Sequence, residues 1–278
     1  MEGGRQPFGF TIIEVMIVLA ISGFIFLSAV LLINGKQSST EFFVSTNDFK
    51  TEMQHVVSDI VDGYYPNTTN YSCSAPTPGT VPTISSSASK QGTDYGCVFL
   101  GKVVQFNNPN LNIYVVAGNQ FKSDGSAAES LTSANPILVA PSIENYAMEY
   151  GLSLACGSNS IQYYNQPTTQ SPCMIGGVPG KGHTIESIAF VTSPTSPNTS
   201  NGIQTGPLQI NMVPIDASSV SGIDRAFKNA SSLVNNPAGG VKICLKGSAP
   251  NYSALITIGS VSRQPTVNMA IKNDITCQ

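Results

Sequence analysis

Charged side chains are scarce in this sequence. They make up 10% of its 278 residues, against about 25% in ordinary soluble domains. Its 13 basic and 16 acidic residues leave a formal net charge of -3. A basic surface able to meet phosphates is therefore lacking, which excludes a generic nucleic-acid binder. Disorder does not follow from the scarcity, because 41% of residues are hydrophobic and disordered chains are usually highly charged. A second long apolar run is also missing, which excludes a multi-span membrane protein. Histidine is limited to His55 and His183, and the cysteines form no C-x-x-C pair. A zinc site is not expected from that set.

Catalytic signatures are missing as well. There is no G-x-S-x-G elbow. The glycine-rich stretch from Gly176 to Gly182, with Pro179 and Lys181, falls one residue short of a P-loop, and Gly182 stands where the hydroxyl residue belongs; it reads as a turn. His183, with Glu186 nearby, has no nucleophile to activate. Asp216 and Asp224 lack the dense oxygen spacing of a calcium loop. Asn67-Thr68-Thr69 and Asn251-Tyr252-Ser253 read as chance triplets in a chain rich in Asn, Ser and Thr. No enzyme activity, cofactor or metal is expected.

What is present begins near the N-terminus. Phe10 to Ile33 is an apolar run with one ionisable side chain, Glu14. As a helix it measures about 36 Å, enough for a hydrocarbon core of about 30 Å. A polar leader, MEGGRQPFG, precedes it. The run is too long for a secretory signal and lacks a small-residue cleavage site after it, so it reads as retained. Glu14 costs roughly 2.5–3.5 kcal/mol in a membrane helix, which makes it a functional candidate by default. Two readings stand for this residue alone: it snorkels to the headgroups, or it meets a partner charge.

The surrounding residues, Gly9-Phe10-Thr11-Ile12-Ile13-Glu14 followed by VMIVLAISG, closely resemble the signal of type IV prepilins and type II secretion pseudopilins. The resemblance covers Arg5 to about Leu32. It implies cleavage between Gly9 and Phe10 by a prepilin peptidase, N-methylation of Phe10, and assembly roles for Thr11 and Glu14. The new α-ammonium on Phe10 would be neutralised by the Glu14 carboxylate of a neighbouring subunit. Such a buried pair favours one register, because removing either charge strands the other.

The helical pattern continues past the apolar run. Gln37 to Val61 contains no Pro or Gly, and Phe42, Phe43, Phe49, Met53, Val56, Val57 and Ile60 form one apolar stripe. Gly63 and Pro66 mark the stop. A near-continuous helix from Phe10 to about Asp62 spans on the order of 80 Å; a break at Asn34-Gly35 is the alternative. Asn67 to Thr93 reads as a Ser/Pro-rich loop. Cys97–Phe106 and Leu111–Ala117 read as a hairpin around Asn107-Asn108-Pro109-Asn110. Further strand candidates are Ile143–Leu154, Ile185–Thr192, Leu208–Val213, Val241–Lys246, Ala254–Gly259 and Thr266–Ile271, with short helices at Leu131–Leu138 and Asp224–Val234. The expected fold is α+β: a long N-terminal helix on a mainly antiparallel β head. Its expected parts are a leader (1–9), a membrane and polymerisation helix (10–33), an amphipathic continuation (34–63) and a disulfide-stabilised head (64–278).

The six cysteines, Cys73, Cys97, Cys156, Cys173, Cys244 and Cys277, all follow the apolar run. An even number fits disulfides in an oxidising extracytoplasmic space. Spacing alone leaves fifteen pairings open. Nearest-neighbour pairing, Cys73–Cys97, Cys156–Cys173 and Cys244–Cys277, is the working expectation.

The functional expectation is a structural subunit of a type IV pilus or related filament, in a minor or priming position because 278 residues is long for a major subunit. The expected partners are other pilin subunits, the prepilin peptidase, an inner-membrane assembly platform with its ATPase, and the membrane, with no direct nucleic-acid contact. The expected location is the cytoplasmic membrane in a single pass with the head extracytoplasmic, then a filament. A monomeric membrane-anchored binding module is the alternative.

Overall fold

Helix α1 (Ile12–Val61) is a single element of 50 residues in the computed structural model, which describes residues 10–62, 72–85, 96–156, 160–164, 183–192, 199–200, 203–204, 210–229, 236–247, 252–259 and 265–272. The helix passes through Asn34 and Gly35 without a break. Its first half is uncovered, with large apolar side chains such as Ile12, Phe24 and Leu31 exposed. Its second half is amphipathic, and Phe42, Phe49, Met53, Val56, Val57 and Ile60 are buried. Phe43 departs from the expected stripe and is 45% exposed. Neighbouring helical residues point about 100° apart, so Phe42 takes the core position and Phe43 is turned aside.

The strands follow in chain order: β1 (Ser72–Ser74), β2 (Thr83–Ser85), β3 (Cys97–Asn107), β4 (Asn110–Asn119), β5 (Ile137–Ala147), β6 (Ser153–Leu154), β7 (Ile161–Tyr163), β8 (His183–Thr184), β9 (Ser187–Thr192), β10 (Thr199–Ser200), β11 (Ile203–Gln204) and β12 (Ile210–Ile215). Helix α2 (Val220–Lys228) comes next, then β13 (Val241–Lys246), β14 (Ser253–Gly259) and β15 (Thr266–Lys272). Five strands form one antiparallel sheet in the order β12-β9-β3-β4-β5. A second antiparallel sheet runs β15-β14-β13-β7-β8, with β6 also beside β13.

The period-2 alternation of strands sorts side chains between two cores. Ile188 and Phe190 of β9 join Val104 and Phe106 of β3 in the core shared by α1 and both sheets. Ala189 and Val191 face the other way, into a second core with Ile223 and Phe227 of α2. The second sheet sends Val241, Ile243 and Leu245, with Ala254, Ile256 and Ile258, into the first core. Phe49 and Met53 are fully buried there. Truncating Phe49 to alanine would cost roughly 3–5 kcal/mol through lost transfer energy and the remaining cavity.

Three sequence-based expectations need correction. Leu131–Leu138 is not helical: turns lead to Pro136, and β5 begins at Ile137. The strand expected at Ile143–Leu154 is divided, because Tyr150 and Gly151 take positive φ in a turn between β5 and β6. The second short helix starts earlier than Asp224; Ser219 is its N-cap, its side chain accepting from the Gly222 N–H. Within the expected loop Asn67–Thr93, β1 and β2 form a small hairpin. Gly176 to Gly182 and both Asn triplets fall wholly or partly outside the described residues.

Candidate functional site

The N-terminal end of α1 is closed by a capping box. Thr11 has extended backbone, and its Oγ1 accepts from the Glu14 N–H at 3.3 Å. In return the Glu14 carboxylate accepts from the Thr11 N–H at 3.0 Å and from its hydroxyl at 3.1 Å. The T-x-x-E order is what such a box requires, since residues three apart stack at the first turn. A negative charge there also meets the positive end of the helix dipole. Both Thr11 contacts fall on Oε2. Among the described residues, Oε1 accepts no hydrogen bond, and Glu14 is exposed, as is Phe10 at 84%. Gly9 lies outside the described residues.

Behind this end the helix presents an uncovered apolar surface. It is the one described helix long and apolar enough to cross a membrane. Of its two inner serines, Ser22 and Ser28, Ser28 donates to the Phe24 carbonyl at 2.9 Å, the back-bonding a helix offers such a hydroxyl. Gly23 has open space around it, with nothing within 4 Å of an added Cβ. A neighbouring apolar helix would thus meet little obstruction there.

The head is fastened to the helix by an ion pair that sequence inspection did not anticipate. Lys102 of β3 is almost fully buried, and its Nζ lies 2.8 Å from Asp59 of α1 and 3.3 Å from Glu144 of β5. A lysine within the apolar run of β3 was the available signal, but partners about forty positions away in either direction are invisible to local patterns. Burial pushes the nearby Glu52 carboxyl up, against the attraction of His55 and Lys102. Tyr146 is pushed up to about 12, first by burial and then by the charges of Asp48, Glu52 and Glu149. Asp48 and Glu52, four residues apart, therefore share one flank of the helix beside Tyr146.

The cysteines are engaged. Cys73 and Cys97 form a disulfide that ties the β1–β2 hairpin to β3, over a small cluster of Val115, Ala117 and Val139. Cys156 and Cys244 are also disulfide-bonded; Cys173 and Cys277 lie outside the described residues. The other candidates stay apart. His183 stacks on Tyr163 with ring centres 4.8 Å apart, and Asp224 accepts from the Leu138 N–H at 2.8 Å. Among the described residues no cluster of three His, Cys, Asp or Glu side chains is placed to hold a metal ion.

Residues 5–30 match the family model for the prokaryotic N-terminal methylation motif. Thr11, Glu14 and the uncovered helix as far as residue 30 fall within that match. No curated protein and no solved structure matches the chain significantly.

Proposed function

Because the chain is a type IV pilin-like protein, carrying the N-terminal methylation motif at the head of a long helix packed on antiparallel sheets, we propose that it is a filament subunit. In this reading the leader 1–9 is removed between Gly9 and Phe10, and Phe10 is N-methylated. The subunit waits in the cytoplasmic membrane with its head outside, then polymerises through the exposed half of α1. The observation that carries the proposal is the Glu14 carboxylate, exposed at the start of a helix with no apolar cover. An incoming ammonium on a neighbour's Phe10 would bind Oε1 without displacing Thr11 from Oε2.

Moving the helix from bilayer to bundle exchanges one apolar environment for another, so side-chain packing rather than hydrophobic burial favours association. The charged end is the exception, and pairing removes its cost. Within this family the length of 278 residues favours a minor or priming position. The partners are then other pilin subunits, the prepilin peptidase, and an inner-membrane platform with its ATPase. Pilin-like proteins are typically structural, and catalysis is not part of the reading. For the remaining cysteines the proposed pairs are Cys156–Cys173 and Cys244–Cys277.

The test is Glu14→Ala. Membrane insertion should be unchanged, while filament formation or co-assembly with the major subunit should be impaired. Filaments or co-assembly equal to the wild type would refute the acid–amine pairing; the monomeric anchored binding module is told apart by its intact N-terminus.

A further inference from the structure

Helix α1 has two chemically different flanks beside its buried stripe. At 100° per residue, Lys36, Phe43 and Lys50 recur every seven positions and share one flank. Glu41, Asp48, Glu52 and Asp59 fall on the opposite flank, with the core residues between the two sets. Phe43 and Val44 are each 45% exposed. The Phe43 ring lies 6.4 Å from Tyr252, which stacks on Phe42 at 5.8 Å. The β13–β14 end is pressed against the helix here: a Cβ on Gly247 would come within 2.6 Å of the Phe42 ring. Exposed Lys246 stands at the same end, paired across the strands with Ser253. One side of the neck thus combines aromatic rings with ammonium groups.

We infer that this flank seats the head of the unassembled subunit on the anionic headgroups of the bilayer that its own helix crosses. The inference rests on the membrane anchoring in the proposed function. Rings and cationic tips are the side chains that favour the membrane–water interface. Anionic lipid attracts lysines next to a span, and the carboxylates are turned to the opposite flank. The reach also fits. Phe43 lies ten residues past Ile33, about 15 Å along the axis, and the headgroup layer is about 5–8 Å deep. An upright helix would hold Phe43 above that layer. A tilt of about 40°, at the upper end of the usual range, lowers the ring on the leaning side to about 8 Å. The flank that leans is the one bearing Lys36, Phe43 and Lys50.

The chain contains no tryptophan, so a single introduced indole reports its own surroundings. Full-length Phe43→Trp is reconstituted in vesicles of phosphatidylethanolamine and phosphatidylglycerol whose acyl chains are brominated near the headgroup. Phe24→Trp reports on the span. Val81→Trp reports on the far end of the head: Asn119 bonds the adjacent Thr80 carbonyl, and β4 carries Asn119 about 30 Å from the Asn110 end. The seat predicts a loss of Phe43→Trp emission in the brominated vesicles and none for Val81→Trp. It also predicts weaker quenching in phosphatidylcholine alone, and in Phe43→Trp carrying Lys36→Gln and Lys50→Gln. Phe43→Trp quenched no more than Val81→Trp, while Phe24→Trp is quenched, would overturn the seat and leave the anchor standing. An unquenched Phe24→Trp would overturn both. Quenching undiminished in phosphatidylcholine would overturn the assignment to anionic headgroups.

Discussion

Both hydrogen bonds that Thr11 gives to Glu14 end on the same carboxylate oxygen, Oε2. Capping and charge pairing therefore use different parts of one side chain, and they separate experimentally. Glu14→Gln keeps an acceptor for the cap and removes the charge. Its assembly should be impaired nearly as much as that of Glu14→Ala. Thr11→Ala keeps the charge and costs the helix end about 1 kcal/mol, so its assembly defect should be the milder one. Filament yields with Thr11→Ala below Glu14→Gln would reverse the assignment.

Lys102 and Asp59 form an unequal pair. The lysine side chain is 3% exposed, whereas Asp59 and Glu144 are 31% and 49% exposed. Removing the lysine leaves two carboxylates that water reaches. Removing Asp59 leaves a buried ammonium with one longer contact. Asp59→Ala should therefore cost roughly 3 kcal/mol, and more than Lys102→Met, since an unpartnered buried charge is the expensive outcome. Guanidinium unfolding of the full chain in detergent measures both. Lys102→Met as the more damaging change would show that the lysine stem, not the pairing, holds helix to sheet.

Asp224 gives the head a pH dependence of known sign. Burial raises its carboxyl above the usual range, even though it accepts from the Leu138 N–H. The folded chain then keeps a proton that the unfolded chain has released. Asp224 makes folding less favourable as pH rises from the ordinary carboxylate value through its raised one. Asp224→Asn preserves the acceptor and cannot ionise. The variant should be more stable than the wild type at neutral pH, with the gap closing as pH falls through that window. A gap independent of pH would mean that the carboxylate does not titrate there.

Cys73 and Cys97 are 24 positions apart, which gives their bridge roughly 3 kcal/mol in the loop-entropy picture. Replacing both with alanine should lower the unfolding midpoint accordingly. Amide exchange should accelerate first at Val115, Ala117 and Val139, the cluster beneath the bridge. Non-reducing peptide mapping checks the other proposed pairs, and a Cys156–Cys277 link would refute them.

Legibility in the sequence followed the range of the interactions. Local periodicity was enough for α1, for the β3–β4 hairpin and for Val241–Lys246, because alternation and helical spacing are set by neighbours. It failed at Leu131–Leu138, where the Asn135-Pro136 pair breaks the helix despite the favourable spacing: Pro136 disfavours helical backbone at Asn135, which takes φ 47°. It also counted Phe43 as core, since spacing does not say which of two adjacent rings faces inward. The capping box was readable as T-x-x-E from Thr11 to Glu14. The Lys102 pairing was not, because it depends on how the sheet meets the helix.

The central claim concerns the N-terminus of the native protein. Intact mass and N-terminal fragment spectra of chain purified from its own membranes test it directly. The account predicts a chain that begins at Phe10 and carries one added methyl group on its α-nitrogen. A chain that still begins at Met1, or one cut elsewhere, would contradict it.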